Sequence, residues 1–134
     1  MNLETIFEFI KEKRGYEYPV IYKLLNGLPL TDDELNIEGI AVDLRHSDIT
    51  SLPDNLKISG DLSLYHSKIE SLPNNLRVGK YLDLRDTKIS SIPNNLIVGD
   101  GIFIHRTPLS KRYSIKVIND MIVDKGGDFT NIFM

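Results

Sequence analysis

The sequence predicts an α/β solenoid: coils of about twenty residues stacked into a short parallel β-sheet, between a helical N-terminal cap and a helix-plus-strand C-terminal cap. Three observations predict it. The segments "SLPDNLKISGDLSLYHSKIE", "SLPNNLRVGKYLDLRDTKIS" and "SIPNNLIVGDGIFIHRTPLS" follow one another without a gap from residue 51. Their apolar positions recur every twenty residues: Leu56, Leu76 and Leu96; Leu62, Leu82 and Ile102; Leu64, Leu84 and Ile104; Ile69, Ile89 and Leu109. Each copy is too short to bury its apolar face alone, so neighbouring copies must stack.

The whole chain, 1–134, reads as one domain, and its elements follow in order. Residues 1–34 read as the N-terminal cap. Leu3, Ile6, Phe7 and Ile10 recur at helical spacing, with Asn2 as an N-cap. A second helix runs through "PVIYKLL", with Pro19 in its first turn and Gly27 ending it. "TDDE" at 31 to 34 matches a capping box, so a helical turn replaces the proline arm of the first coil.

Residues 35–109 read as about four coils. A degenerate copy precedes the three clear ones: Val42, Leu44, Ser47 and Ile49 fall on the same frame. Upstream, Leu35, Ile37 and Gly39 match Leu56, Ile58 and Gly60 with one residue inserted. Leu62 and Leu64 alternate inward with Ser63 between them, which is strand periodicity. Strands are therefore expected at 42–44, 62–64, 82–84 and 102–104, forming a parallel sheet on a concave side. Pro53, Pro73 and Pro93 lie on the opposite arm, where a fixed φ ends regular pairing. The Asn-rich triplets after them suit turns. Twenty residues leave no room for a long convex helix, so that arm is expected to be extended or a single turn.

Residues 110–134 read as the C-terminal cap. Ser114 caps "IKVINDMIV", whose Ile115, Ile118 and Ile122 share a face. Gly126 and Gly127 then release the chain into "DFTNIFM", expected to add a last strand on the exposed edge.

The unit L-x-L-x-x-(S/T)-x-(I/L) resembles the leucine-rich repeat, whose core is L-x-L-x-x-N-x-L. The short unit with "LP" opening its return arm is similar to repeats of secreted effectors of enteric bacteria. The chain looks still more like small phage-encoded leucine-rich repeat proteins, which combine a helical leader, a few such coils and a "TPLxKxY" exit. The resemblance covers about residues 20 to 126 and implies the fold; the family shares no single activity. Where it usually carries an Asn ladder, this chain places Ser47, Ser67, Thr87 and Thr107. A hydroxyl can still bond a neighbouring backbone group, and the frame turns these side chains inward, away from any catalytic base.

Composition excludes several function classes. The 134 residues are 41% hydrophobic and 26% charged, the profile of a globular chain. A net charge of −3 supplies no positive field for nucleic acid or an anionic membrane. The basic runs "KEKR" at 11 to 14 and "KR" at 111 to 112 are short and far apart, so nucleic acid is not an expected partner. Apolar stretches fall far short of the roughly 18 residues of a membrane span. Glu4 and Glu8 interrupt the N-terminal apolar residues, which argues against a signal peptide. With no cysteine there are no disulfides, thiolate metal sites or thiol nucleophiles. A cytoplasmic location is expected, that of the host cell if the chain is phage-encoded.

Function is expected on the outward positions of the strands. In rows these are Asp43, Ser63, Asp83 and Phe103; then Arg45, Tyr65, Arg85 and His105; then His46, His66, Asp86 and Arg106, with Tyr81 at the edge. Aromatics, arginines and carboxylates together suit a surface that grips another protein. The alternative is a solvated sheet whose Asp–Arg neighbours pair with each other, each pair contributing only ~0.2–1 kcal/mol. Tyr65, Tyr81 and Phe103 have no evident structural need to sit outside, which favours binding. His46, His66 and Asp86 could in principle hold zinc. Arg106 continues their row, however, and like residues stack in any repeat, so no metal or cofactor is expected. Asp43 and Asp83, two coils apart, are spaced roughly as the acids of an inverting glycosidase, ~10 Å. No cleft and no apolar pocket accompany them, so no enzyme is expected.

The reading is a protein–protein interaction module. Its partner-binding residues are Asp43, Arg45, His46, Tyr65, His66, Tyr81, Asp83, Arg85, Phe103, His105 and Arg106. The phage resemblance implies an inhibitor of a host protein, such as a component of antiviral defence. The alternative is a structural or assembly factor of a phage or mobile element.

Overall fold

Each coil folds back on itself once and so contributes two strands. The first gives β1 (Asn36–Ile37) and β2 (Val42–Asp43), the second β3 (Lys57–Ile58) and β4 (Leu62–Ser63). The third gives β5 (Arg77–Val78) and β6 (Tyr81–Asp83), the fourth β7 (Ile97–Val98) and β8 (Gly101–Phe103). The C-terminal segment adds β9 (Asp128–Phe129) and β10 (Ile132–Phe133). The computed structural model from which these are taken describes residues 17–129 and 131–134. The expected helix on Leu3, Ile6, Phe7 and Ile10, its Asn2 cap and the "KEKR" run lie outside the described residues.

The strands form two five-stranded parallel sheets, ordered β1-β3-β5-β7-β9 and β2-β4-β6-β8-β10. Register advances by twenty residues: Leu62 pairs with Val42 and Leu82, and Leu82 with Ile102. The chain is thus a parallel β-solenoid. The sheet expected at 42–44, 62–64, 82–84 and 102–104 is present, shifted by a residue at most. Leu64 N still donates to Asp83 O, and Leu84 N to Phe103 O, one position beyond the strands.

The arm opposite is extended, as expected, and goes further. It is not merely extended or a single turn but a second hydrogen-bonded sheet. Lys57, Arg77 and Ile97 point away from the core while Ile58, Val78 and Val98 are buried. Two residues per coil suffice, because each coil's strand bonds to the coils on both sides.

Between the sheets lies a column of apolar side chains. Leu56, Leu76, Leu62, Leu82, Leu64 and Leu84 are all no more than 1% exposed. Burying one such leucine contributes ~1.5–3 kcal/mol. Coils approach closely at one corner, where a Cβ on Gly79 or Gly99 would overlap the carbonyl oxygen of Ser59 or Gly79. The inward hydroxyls do not link coil to coil. Ser47, Thr87 and Thr107 each donate to the carbonyl three residues earlier in their own coil, at 2.7–2.8 Å. Ser67 instead accepts from Ile69 N at 3.5 Å.

Helices lie at both ends of the stack. α1 (Glu17–Leu25) buries Val20 and Leu24 in the core and ends at Gly27, whose φ is 66°. Thr31 and Glu34 exchange the two bonds of a capping box, at 3.0 and 3.2 Å, around a single helical turn. Lys23 ties α1 to that turn through Glu34 at 2.8 Å. α2 (Pro108–Arg112) is a short helix that the sequence reading left out; Thr107 is its N-cap, in a capping box with Ser110. α3 (Ile115–Asp124) is capped by Ser114 and buries Ile118 and Ile122. Ile115 lies in the first turn, ahead of the packed stretch, and is 48% exposed. "DFTNIFM" adds not one strand but two, one to each sheet. Among the described residues no helix is long and apolar enough to cross a membrane.

Candidate functional site

The solenoid fixes three outward rows on the sheet β2-β4-β6-β8-β10. Only the first lies on strands. Asp43, Ser63, Asp83 and Phe103 stand in register across four coils, and Phe133 extends the row on β10. The second row, Arg45, Tyr65, Arg85 and His105, sits in the turns that follow the strands. The third row occupies the tightest point of those turns. His46, His66, Asp86 and Arg106 all have φ between 55° and 59°, the left-handed region. Sequence reasoning placed the last two rows on strands. A twenty-residue coil must instead turn sharply at both ends, and Asn55, Asn75 and Asn95 hold the same left-handed conformation at the other end.

The rows are braced within and between coils. Arg45 grips Asp43 through two bonds of 2.8 Å, and Arg85 grips Asp83 at 2.9 and 2.7 Å. Hydrogen bonds from Arg45 hold the Asp43 carboxyl below its ordinary value, and those that Arg85 donates to Asp83 hold its guanidinium above its own. Arg106 reaches back a full coil to Asp86, at 2.5 and 2.7 Å, and lowers that carboxyl likewise. These pairs are what the solvated-sheet alternative foresees.

They do not account for the aromatics. The Arg85 guanidinium lies 5.1 Å from the Tyr65 ring and 5.6 Å from that of Phe103, layered between the two. Phe103 stacks on Phe133 with centroids 4.7 Å apart and planes 20° apart. Tyr81 flanks Phe103 at 5.6 Å, and His105 stacks beside it at 6.4 Å. At the other edge Tyr65 meets His46 edge-on at 5.4 Å. The result is a continuous strip of π faces from His46 to Phe133. On this face the buried atoms Ser63 Oγ and His105 Nδ1 have no hydrogen-bond partner among the described residues.

The structure therefore puts all eleven candidate residues on one face, in two groups. Tyr65, Tyr81, Asp83, Arg85, Phe103 and His105 form the strip's centre, with Asp43 and Arg45 at its β2 edge. His46, His66 and Arg106 follow the corner, where they line an open groove shared with Asp86, Lys68 and Lys88. Phe133 was missed. Its signal was present: Ile132–Phe133 repeats the in–out alternation of Ile102–Phe103. Among the described residues no group of three or more His, Asp or Glu side chains gathers to hold a metal ion. A scan against family models and searches of curated proteins and solved structures match nothing.

Proposed function

We propose that this chain is a protein–protein interaction module: a solenoid of leucine-rich-repeat type whose terminal helices act as caps, seating its partner on the π strip. One observation carries the reading. Arg85 is held by both oxygens of Asp83 and layered between Tyr65 and Phe103, so the centre of the face is ordered before anything binds. Preorganised side chains lose little entropy on association, and arginine and tyrosine are common anchors of protein interfaces. Paired arginines and carboxylates also leave no isolated charge to be desolvated without compensation. The likeness of the repeats to phage-type proteins extends the reading to an inhibitor that blocks a host protein.

The test is affinity capture with the intact chain beside its Arg85→Ala and Phe103→Ala forms. A host protein retained by the intact chain and lost from both variants supports the reading. Capture of virion components in the same strip-dependent way would favour an assembly factor. Retention by all three forms would place binding off the strip.

A further inference from the structure

Arg45, Arg85, Arg106 and Lys68 each hold a carboxylate of their own or the neighbouring coil, at 2.5–3.1 Å. Lys88 and Lys111 break that pattern. Among the described residues neither has an ion-pair partner, and both are exposed in the corner groove with Lys68 and Arg106. The repeat places them there. Lys68 and Lys88 hold the same position on adjacent coils, so their backbones stand about 4.8 Å apart. The next position of that row is Pro108, and α2 supplies Lys111 to the groove in its place. Like charges so close repel. Asp48 relieves Lys68 at 3.1 Å, but no carboxylate among the described residues relieves Lys88.

We propose that the corner groove takes an acidic segment of the protein partner, whose carboxylates pair with Lys88 and Lys111. The inference deepens the protein-binding reading and rests on it. Charge complementarity carries it. Four cations line the groove, and its two carboxylates, Asp48 and Asp86, are already taken by Lys68 and Arg106. This excess stands on a chain of net charge −3, so it is a local concentration rather than general basicity. The groove's volume is about 630 Å³, against the ~30 Å³ of one water, which is room for a chain segment rather than a lone ion. The histidines add a donor. His46 and His66 share one hydrogen bond between their Nδ1 atoms at 3.3 Å, so the accepting ring, when neutral, carries its proton on Nε2.

The chemistry favours protein carboxylates over phosphate. Recognition of a single phosphate uses a guanidinium fork or converging backbone N–H groups. Here the guanidinium that lines the groove, that of Arg106, is held by both oxygens of Asp86. The unpaired cations are lysines, point charges that suit several separate carboxylates. Nucleic acid demands a positive field over many phosphates, which a net charge of −3 opposes. The groove also adjoins the π strip, since His46 meets Tyr65 edge-on at 5.4 Å, so one partner can span both.

The experiment titrates the full chain with fluorescein-labelled octaglutamate and follows its anisotropy. It is run at about 0.05 M and about 0.3 M sodium chloride, on either side of the salt level that screens charges over ~10 Å. Saturable binding is expected at the lower salt and should weaken several-fold at the higher. Lys88→Gln with Lys111→Gln should weaken the peptide about fivefold, the effect of two exposed ion pairs. Lys57→Gln with Lys80→Gln removes the same charge away from the groove and should change affinity by less than about twofold. All four lysines are exposed, so the variants alter charge without touching the core. Absence of saturable binding, or equal loss in both pairs of variants, overturns the proposal. Tighter binding of an oligothymidylate of the same length, lost with Lys88 and Lys111, also overturns it by assigning the groove to nucleic acid. The strip is judged separately, by capture with the Arg85→Ala and Phe103→Ala forms. Strip-dependent capture without octaglutamate binding overturns the groove and leaves the strip standing. Octaglutamate binding without such capture supports the groove and counts against the strip.

Discussion

The side-chain amide of Asn75 donates to the side-chain oxygen of Asn55 at 2.8 Å, and Asn95 repeats the bond to Asn75 at the same distance. The amide ladder missing from the Ser/Thr row thus stands at the opposite end of the coil. All three residues are left-handed, and Asn55 N and Asn75 N also donate to the backbone of the next coil. Asparagine serves both needs, tolerating positive φ and bonding in both directions along the stack.

The first prediction separates those two needs. Asn75→Ala removes two ladder bonds and leaves an alanine in the left-handed region, and should cost about 1–3 kcal/mol. Asn75→Gly removes the same bonds but relieves the backbone, so it should cost less than alanine. Urea denaturation of the three chains measures this. Equal losses would mean that the backbone conformation is not strained there.

The second prediction concerns the middle of the core. Leu84 is 1% exposed, with the Leu64 and Ile104 coils on either side. Leu84→Ala should cost about 2–5 kcal/mol through lost transfer energy and a cavity. Denaturation midpoints at unchanged m-value give the number, and a loss below about 1 kcal/mol would mean that the column is not the core.

The core was legible in the sequence because repetition supplies what a single copy lacks. Leu64 alone is an apolar residue, whereas Leu64, Leu84 and Ile104 at equal spacing are a column. The second sheet was not legible, because "KI", "RV" and "IV" are too short to show a period of two and lie beside glycine and asparagine. The left-handed corner was hidden for a different reason. His46, His66 and Asp86 are types that tolerate positive φ but Arg106 is not, so only the geometry of coil closure assigns the whole row one conformation. The face itself was readable as outward residues, but the layering of Arg85 between Tyr65 and Phe103 depends on side-chain placement that spacing does not encode.

The third prediction is a pH dependence at the N-terminal end. Burial raises the Glu34 carboxyl, but hydrogen bonds from Lys23 and Thr31 outweigh it, and the net shift is downward from an ordinary value of 4.5. A lowered carboxyl contributes stability that is fully present above its unfolded value and is lost as pH falls through the folded one. Glu34→Gln should therefore be less stable than the parent at pH 7, and the gap should close as pH drops below about 4.5. Thermal melts of both chains from pH 7 to pH 3 test it. A gap that stays constant would show that the loss comes from packing rather than from charge.

The last prediction asks whether the π strip serves binding or folding. Surface substitutions usually change stability by no more than ~0.5 kcal/mol, and by position alone that applies to Tyr65, Tyr81, Arg85 and Phe103. Their contacts refine the expectation. Tyr81 is 42% exposed and meets the strip at Phe103, at its edge, so Tyr81→Ala should stay within that limit. Phe103 touches Tyr81, Phe133, His105 and Arg85, and an aromatic pair adds about 0.5–1.5 kcal/mol beyond its buried area. Phe103→Ala should therefore cost about 1–2 kcal/mol of stability while leaving the leucine column intact. Binding should respond differently, with truncation of Tyr65, Arg85 or Phe103 each costing about 2 kcal/mol or more of affinity. Asn94→Ala, on the opposite turn, serves as the control and should bind normally. Melting curves and titrations against the captured partner, run on the same set, separate the two roles. If affinity falls only in proportion to stability, or falls for Asn94→Ala as well, the strip is packing and the partner uses another surface.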